Sequence, residues 1–161
     1  MIHGFVAVDE LGDIGASYSA QGKRLVLTNG CFDLLHAGHV RYLQQARFLG
    51  DALLVAVNSD ESVRALKGQG RPLNSDLDRA EVLSALRCVD YVSIFEGMRV
   101  TEVIKALRPA IYAKGGDYTL ETLDQEERNA LEEVGAEIKL LSLVPGKSTT
   151  SLLKKVQSIQ S

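Results

Sequence analysis

The chain has 161 residues, of which 45% are hydrophobic and 24% are charged, and its formal net charge at pH 7 is −3. This length suffices for one domain with a substantial core, and the composition is that of a folded protein, which excludes a disordered or low-complexity chain. The small acidic excess argues against general nucleic-acid binding, so an anionic ligand must be held by local basic groups and helix ends.

The chain opens with a segment that has helical spacing. Residues 1–22 are predicted to form an amphipathic lead-in helix, which Gly12 and Gly15 should weaken because glycine disfavours a helix interior. Residues 23–161 are then predicted to form a single domain.

Apolar runs rich in β-formers alternate with helical segments along this domain. The predicted strands are residues 25–28, 52–58, 91–95, 110–113 and 137–141. The helical segments between them close at Gly50, open after Ser75, cover residues 100–107 and end at Gly135. This alternation predicts crossover connections and an α/β fold, a doubly wound, Rossmann-like sheet of five parallel strands with helices on both faces. Ligands bind such sheets beyond the carboxyl ends of the strands.

The stretch "LTNGCFDLLHAGHVRYL" joins the first predicted strand to a helix that begins near His36. Asn29 and Gly30 form a turn pair that tolerates positive φ, and a helix N-terminus with free N–H groups favours anions. His36 and His39 are three residues apart, so both imidazoles face one side, and Gly38 lets a ligand approach the backbone. The arrangement suits a polyphosphate.

The histidine pair is also compatible with a partial metal site or with two solvated helix residues. The remaining histidine is His3, and no cysteine lies nearby with ligand spacing, so the sequence assigns no protein-bound metal. Neither a partial metal site nor a solvated histidine pair explains why glycine stands at positions 30 and 38.

Two familiar nucleotide-binding motifs are not matched. "VPGKSTTS" contains Gly-Lys-Ser, but Leu141 stands where a P-loop needs its first glycine. "LKGQGRPL" offers Gly68 and Gly70 alone and does not open a helix directly, which argues against a dinucleotide site.

The expected compartment is the cytoplasm. Cys31 and Cys88 have neither the number nor the spacing of a disulfide framework. No signal-peptide pattern and no apolar run near 18 residues is found, so no membrane partner is expected.

Several motifs together resemble the nucleotidyltransferase family with the His-x-Gly-His signature. They are "TNGCFDLLHAGHVRYLQQARFLGD", "VAVNSDESVRALKGQGRPLN", "DRAEVLSALRCVDYV", "KGGDY" and "PGKSTTSL", and the match covers about residues 23–156. Within the family, the chain is most similar to the adenylyltransferase branch of ADP-heptose and lipopolysaccharide synthesis. That branch acts on D-glycero-β-D-manno-heptose 1-phosphate and in many bacteria forms the carboxy-terminal half of a bifunctional protein. Here the domain is expected to stand alone, with a separate sugar kinase supplying its substrate.

The resemblance implies roles for individual residues. The implied catalytic residues, which stabilise charge on the transferring group, are His36, His39, Lys67 and Arg79. The implied nucleotide-binding residues are Asn29, Gly30, Cys31, Phe32, Gly38, Gly116, Asp117, Ser148, Thr149 and Thr150. Lys67 and Arg71, in the loop "LKGQGRP", are implied to bind the substrate phosphate.

Plainer interpretations accompany these roles. Residues 148–150 also make an N-cap cluster for the last helix, and Asp117 with its glycines also makes a tight turn. A single Lys or Arg is commonly a solvated surface residue. Asp33 is expected to fix the loop by Asx-type hydrogen bonds rather than to act as a base.

The implied reaction is transfer of AMP from ATP to a sugar 1-phosphate, with Mg²⁺ as cofactor, by direct in-line attack and with release of pyrophosphate. Two alternatives stay open. One is a cytidylyltransferase acting on glycerol 3-phosphate or phosphoethanolamine, against which Asn29 argues weakly. The other is a non-catalytic nucleotide-binding regulatory module. A homodimer is compatible with exposed edge strands, and the acidic segment "TLETLDQEERNALEEVGAE" is tied to no substrate.

Overall fold

A computed structural model describes residues 1–116, 118–142, 146 and 148–160. Its strands are β1 (Leu25–Gly30), β2 (Ala52–Asn58), β3 (Tyr91–Phe95), β4 (Ile111–Gly115) and β5 (Glu137–Leu141). Its helices are α1 (Leu11–Ala20), α2 (Ala37–Phe48), α3 (Asp60–Lys67), α4 (Asp76–Ser84), α5 (Thr101–Leu107), α6 (Gln125–Val134) and α7 (Thr149–Gln160). None of the described helices is long and apolar enough to cross a membrane.

The five strands form one parallel sheet in the order β3-β2-β1-β4-β5. The order reverses at β1, so the connections after β1 and after β3 run to opposite halves of the sheet. The predicted doubly wound α/β fold is therefore confirmed, and the neighbouring pair β1 and β4 marks the switch point where such folds bind ligands.

Each face of the sheet is covered by its own helices. Leu11 of α1, Ile104 of α5 and Leu131 of α6 are fully buried in the core on one face. Leu43 of α2 and Leu83 of α4 are fully buried in the core on the other. Every residue of β2 is buried, whereas the edge strand β5 is partly exposed, so the sheet is covered most completely at its centre.

The helix boundaries follow from local capping chemistry. Ser59 and Ser75 cap α3 and α4 by accepting the N–H groups of Ser62 and Asp78, each at 3.2 Å. Gly135 ends α6 in the left-handed region, with φ +71°. The helix α3 was not predicted, and Lys67 lies at its end rather than in the following loop.

The N-terminal segment differs from the predicted lead-in helix. A short 3-10 turn at Val8–Glu10 precedes α1, and Phe5 forms a parallel bridge with Val92 of β3. Gly15 is buried in α1, where an added Cβ would lie 1.8 Å from the carbonyl oxygen of Leu107. The glycine expected to weaken the helix thus allows α1 to pack closely on α5.

A pair of substitutions in α1 tests this packing. Gly15→Ala is expected to lower the free energy of unfolding by about 1–3 kcal/mol, because its Cβ overlaps the backbone of α5. At Gly12 the nearest atom to an added Cβ is 3.7 Å away, so Gly12→Ala should raise stability by up to about 1 kcal/mol. Urea unfolding of both variants measures the difference, and equal stability gains in both would contradict the close approach.

Candidate functional site

The first and fourth strands separate beyond the middle of the sheet. They pair at Val26 with Ile111 and at Leu27 with Tyr112. Further on, tyrosine hydroxyls span the gap. The hydroxyl of Tyr42, on α2, donates to the Ala113 carbonyl at 2.9 Å and also contacts the Thr28 hydroxyl.

A second tyrosine crosses the same gap. The Tyr112 hydroxyl donates to Asn29 Oδ1 at 2.6 Å, which links β4 to the end of β1.

Burial raises the pKa of Tyr42 to about 12, so its hydroxyl stays protonated and bridges the strands at every physiological pH. Between the carboxyl ends of the two strands an open cleft results.

The cleft has a volume of about 750 Å³, and its lining residues come from several strands, helices and loops on this side of the sheet. From β1 and its loop come Asn29, Gly30, Cys31, Phe32 and Asp33, and from α2 come His39 and Tyr42. From β2, α3 and the loop after it come Asn58, Leu66, Lys67 and Arg71. From the segment after β3 come Met98 and Arg99, from β4 and the segment after it Lys114, Gly115, Tyr118 and Thr122, from α6 and its N-cap Glu127 and Asp124, and from α7 Thr149 and Thr150.

The two histidines interlock at the start of α2. His36 is the N-cap residue, and its Nδ1 accepts the Gly38 N–H at 3.1 Å. His39 Nδ1 accepts the His36 N–H at 3.2 Å, and the ring centroids are 3.9 Å apart. Because both Nδ1 atoms accept, this network assigns the proton of each neutral ring to Nε2. The two rings lie side by side, so the expectation that both imidazoles share one side is confirmed.

The same network corrects the expected backbone anion site. The Gly38 N–H is taken by His36, and the His39 N–H donates to the His36 carbonyl at 3.0 Å. These N–H groups at the start of α2 are therefore not free for a ligand, and imidazole donors stand in their place. His39 lines the cleft, whereas His36 and Gly38 lie beside it without being among its lining residues.

His39 is uncharged near neutral pH. Burial and, to a smaller extent, the neighbouring His36 together lower the pKa of its imidazole to about 4. At pH 7 the residue therefore acts as a hydrogen-bond donor and not as a cation.

The turn after β1 differs from the prediction in detail. The positive φ falls on Phe32, at +49°, and not on Asn29 or Gly30. A bulky residue in this region is strained, and such strain concentrates at functional sites. The Phe32 ring lies 5.7 Å from the His39 ring, and an added Cβ on Gly30 would lie 2.9 Å from it. Glycine is required at position 30 to admit the Phe32 ring.

Asp33 joins the first loop to the segment that follows α3. Its side chain is 1% exposed and accepts Arg71 Nε at 2.8 Å and the N–H groups of Leu73 and Asn74. Burial raises the pKa of this carboxyl, but the hydrogen bonds from Asn74, Leu73 and Arg71 lower it more, so the net pKa lies below its ordinary value. The expected loop-fixing role is confirmed, but the bonds reach residues 71–74 rather than a local Asx turn.

Arg79 requires a correction. Its side chain is 1% exposed and donates to the carbonyls of Asn74, Cys31 and Asn58 and, at 2.9 Å, to the Asp60 carboxylate. With its donors engaged by the protein, Arg79 does not line the cleft or reach a phosphate there. It positions the Cys31 backbone, and the direct catalytic contact expected from the resemblance is not present.

The predicted substrate-phosphate residues do line the cleft. Lys67 is exposed at the end of α3, and Arg71 lines the cleft while paired with Asp33. Gly68 and Gly70, with φ of +92° and +84°, carry the chain between them.

The start of α7 closes the cleft on the side of the first loop. Ser148 caps the helix by accepting the Ser151 N–H at 3.0 Å, while Thr149 Oγ1 donates to the Leu34 carbonyl at 3.2 Å. Thr149 and Thr150 line the cleft and Ser148 does not. Gly116 follows β4 with φ +118° and is not a lining residue, and Asp117 lies outside the described residues.

Sequence reasoning missed the half of the cleft beyond β4. Lys114 is the penultimate residue of β4, and Met98 and Arg99 follow β3, so the rule that ligands bind at the carboxyl ends of strands offered a signal. Glu127 carried a different signal, because it is a charged residue on the apolar face of α6.

Comparison with known proteins adds independent information. A sequence profile described as cytidylyltransferase-like matches residues 27–156. Relatives named bifunctional protein HldE, from Pelobacter propionicus and Geobacter sulfurreducens, are 53% identical over 148 residues and 49% identical over 149. Each alignment covers 92% of this chain and 30% of the relative, so the chain spans about 30% of the length of these relatives. Among solved structures, the lipopolysaccharide core biosynthesis protein from Thermoplasma volcanium is similar, with TM-score 0.61 and 27% identity, over 76% of this chain and 98% of that one.

The low pKa of His39 predicts a pH effect on stability. As pH falls from about 6.5 to 4, the unfolded chain binds a proton at this residue before the folded chain does, so folding becomes less favourable. A His39→Asn variant, neutral in both states, should lose less stability over this window than the wild type. Urea unfolding at pH 7 and at pH 4.5 measures this, and equal losses in the two proteins would contradict the assignment.

Removal of the Asp33 charge should destabilise the fold. We expect Asp33→Asn to lower the free energy of unfolding at pH 7 by about 2–4 kcal/mol, because Arg71 and two N–H groups lose a buried anionic acceptor. Asp13→Asn, at an exposed position on α1, serves as the matched control and should change stability little. An Asp33→Asn protein as stable as this control would show that the link is dispensable.

Proposed function

The chain belongs to the cytidylyltransferase-like family and is a nucleotidyltransferase domain, and we propose that it transfers AMP from ATP to a sugar 1-phosphate. The observation that carries this proposal is the Nε2–H donor of His39, which lines a cleft at the sheet's switch point, with the His36 ring packed against the His39 ring. Hydrogen-bond donors in a cleft suit the several anionic oxygens of a polyphosphate better than they suit a ligand with one uncharged polar group.

The chemistry needs positioning more than it needs a base. A sugar phosphate is already an anion near neutral pH, so its oxygen attacks the α-phosphorus of ATP without losing a proton. The bond from this oxygen to the α-phosphorus forms while the bond to the bridging oxygen of pyrophosphate breaks. Catalysis then consists of alignment and of stabilising the charge that builds on the equatorial and leaving oxygens.

The cleft residues divide this work between them. His39, with His36 against it, donates to the phosphate oxygens from the side of α2. Lys67 supplies a mobile positive charge from α3, and the Thr149 and Thr150 hydroxyls line the opposite wall at the start of α7. Asp33 pairs with Arg71, so the Arg71 guanidinium stays at the cleft wall even when no ligand is bound.

We propose that Mg²⁺ accompanies ATP. Among the described residues no three His, Cys, Asp or Glu side chains cluster as a metal site. Mg²⁺ usually keeps several waters and binds through substrate phosphates, so the cleft fits an ion delivered by the nucleotide. When bound, it would neutralise phosphate charge beside Lys67.

The proposed acceptor is D-glycero-β-D-manno-heptose 1-phosphate, supplied by a sugar kinase activity. Two observations support a sugar substrate from the lipopolysaccharide pathway. The similar Thermoplasma volcanium protein is named for lipopolysaccharide core biosynthesis, and the relatives are named HldE. The family description favours a second candidate, a cytidylyltransferase acting on glycerol 3-phosphate or phosphoethanolamine.

Pyrophosphate release distinguishes these candidates. The assay crosses ATP, CTP and GTP against heptose 1-phosphate, glycerol 3-phosphate and phosphoethanolamine in the presence of Mg²⁺. Release with ATP and heptose 1-phosphate alone is the expected result. Release with CTP and an alcohol phosphate would support the second candidate, and nucleotide binding without release in any combination would contradict transfer.

The role of His39 is tested by a variant that preserves the cap. His39→Asn keeps an acceptor oxygen near the position of Nδ1 but removes the Nε2–H donor, and it is expected to lower kcat by about 10² or more. His3→Ala, at an exposed position outside the cleft, is the matched control and should keep wild-type turnover. Turnover of His39→Asn close to that of the wild type would show that the donor does not act in transfer.

A further inference from the structure

One buried charge in the cleft is not used by the transfer chemistry. Glu127 lies on the inward face of α6, which it shares with the buried Ala130 and Leu131. The residue is 4% exposed, yet it lines the cleft. A buried carboxylate is costly unless hydrogen bonds and ion pairs compensate it.

The contacts of Glu127 leave most of its acceptor capacity unused. Oε1 accepts the Val100 N–H at 3.5 Å, and Oε2 lies 3.9 Å from the Lys114 ammonium, beyond hydrogen-bond distance. A carboxylate has about four acceptor positions, so among the described residues one long hydrogen bond occupies one of them.

Other buried or half-buried carboxylates in the same cleft are better satisfied. Asp33 accepts three donors at 2.8–3.0 Å. Asp124 accepts the Glu126 and Glu127 N–H groups at the start of α6 and pairs with Arg99 at 3.2 Å. Glu127 differs from both, because it lines the cleft with a single long hydrogen bond among the described residues.

Lys114 is the counter-ion of Glu127. Lys114 is 17% exposed, and its Nζ lies 4.8 Å from the centre of the Tyr118 ring as well as beside the carboxylate. Tyr112, the nearest buried hydroxyl on β4, already donates to Asn29. Among the residues that the structure describes, the carboxylate thus has a counter-ion but no short hydrogen-bond donor, and a ligand could supply one.

We propose that Glu127 is a specificity-determining residue that accepts hydrogen bonds from a pair of hydroxyl groups on a substrate, with Lys114 balancing its charge. The inference rests on the proposed function and assigns a ligand chemistry to the half of the cleft beyond β4. Two oxygens of one carboxylate match two neighbouring hydroxyls, and a site built to bind hydroxyls rejects analogues that lack them. The hydroxyls belong either to the ribose of the nucleotide or to the acceptor sugar.

A purely structural role makes a different prediction. If Glu127 only anchored Lys114 and the start of α5 through Val100, substitution would weaken all ligands alike or would lower stability. A hydroxyl-binding role instead removes the discrimination between a substrate and its deoxy analogue.

The experiment measures dissociation constants by calorimetry for wild type, Glu127→Gln and the control Glu126→Gln, which changes an exposed residue of the same helix. One arm uses ATP, 2′-deoxy-ATP and 3′-deoxy-ATP, and the other uses heptose 1-phosphate and its monodeoxy analogues. In one arm, loss of a hydroxyl should weaken binding by wild type and Glu126→Gln about 10- to 100-fold, but binding by Glu127→Gln less than about threefold.

The arm in which discrimination disappears identifies the source of the hydroxyls. Equal discrimination by Glu127→Gln and wild type in both arms would overturn the inference, as would uniform weakening of every ligand. Because binding is measured without turnover, this outcome is independent of whether pyrophosphate is released, which tests the proposed function itself. Thermal unfolding of Glu127→Gln confirms that the compared proteins are folded.

Discussion

After Leu27 and Tyr112, the first and fourth strands no longer pair, and tyrosine hydroxyls occupy the space between them. The separation gives a cleft at the switch point of the sheet. Tyr42 reaches across from α2, so the helix that carries the histidines is fixed to both strands. Gly115 is needed at this point, because an added Cβ would lie 2.7 Å from the Tyr42 ring. The buried Tyr42 hydroxyl therefore links the two strands to the helix that carries the histidines.

The two halves of the cleft use buried polar groups in different ways. On the side of β1, the protein satisfies its own groups. Asp33 and Arg79 are held by loop donors and by carbonyl and carboxylate acceptors, and the Nδ1 atoms of both histidines accept backbone N–H groups, which places the proton of His39 on Nε2. On the side of β4, Glu127 is left with acceptor capacity. A donor-rich half and an acceptor half suit a ligand with phosphates at one end and hydroxyls at the other.

Local patterns predicted the strands and the histidine turn well, because apolar runs and His-x-Gly-His spacing are short-range properties. The helix α3 was missed because it has only eight residues, which is too short for its apolar periodicity to stand out in the sequence. The role of Arg79 was wrong because its acceptors come from separate segments, up to 48 residues away, that only the folded chain brings together. The position of Glu127 in the cleft likewise depends on how the folded chain places α6 beside Lys114 of β4, although its place on an apolar helix face marked it as unusual.

The central claim is that the paired imidazoles donate through Nε2–H to the nucleotide phosphates. Long-range ¹H–¹⁵N correlation spectra of the ¹⁵N-histidine-labelled protein at pH 7, recorded with and without ATP and Mg²⁺, test it most directly. The account predicts that His39 is neutral with its proton on Nε2, and that ATP shifts the Nε2 resonances of both His36 and His39. A proton on Nδ1 of His39, or spectra unchanged by saturating ATP, would contradict it.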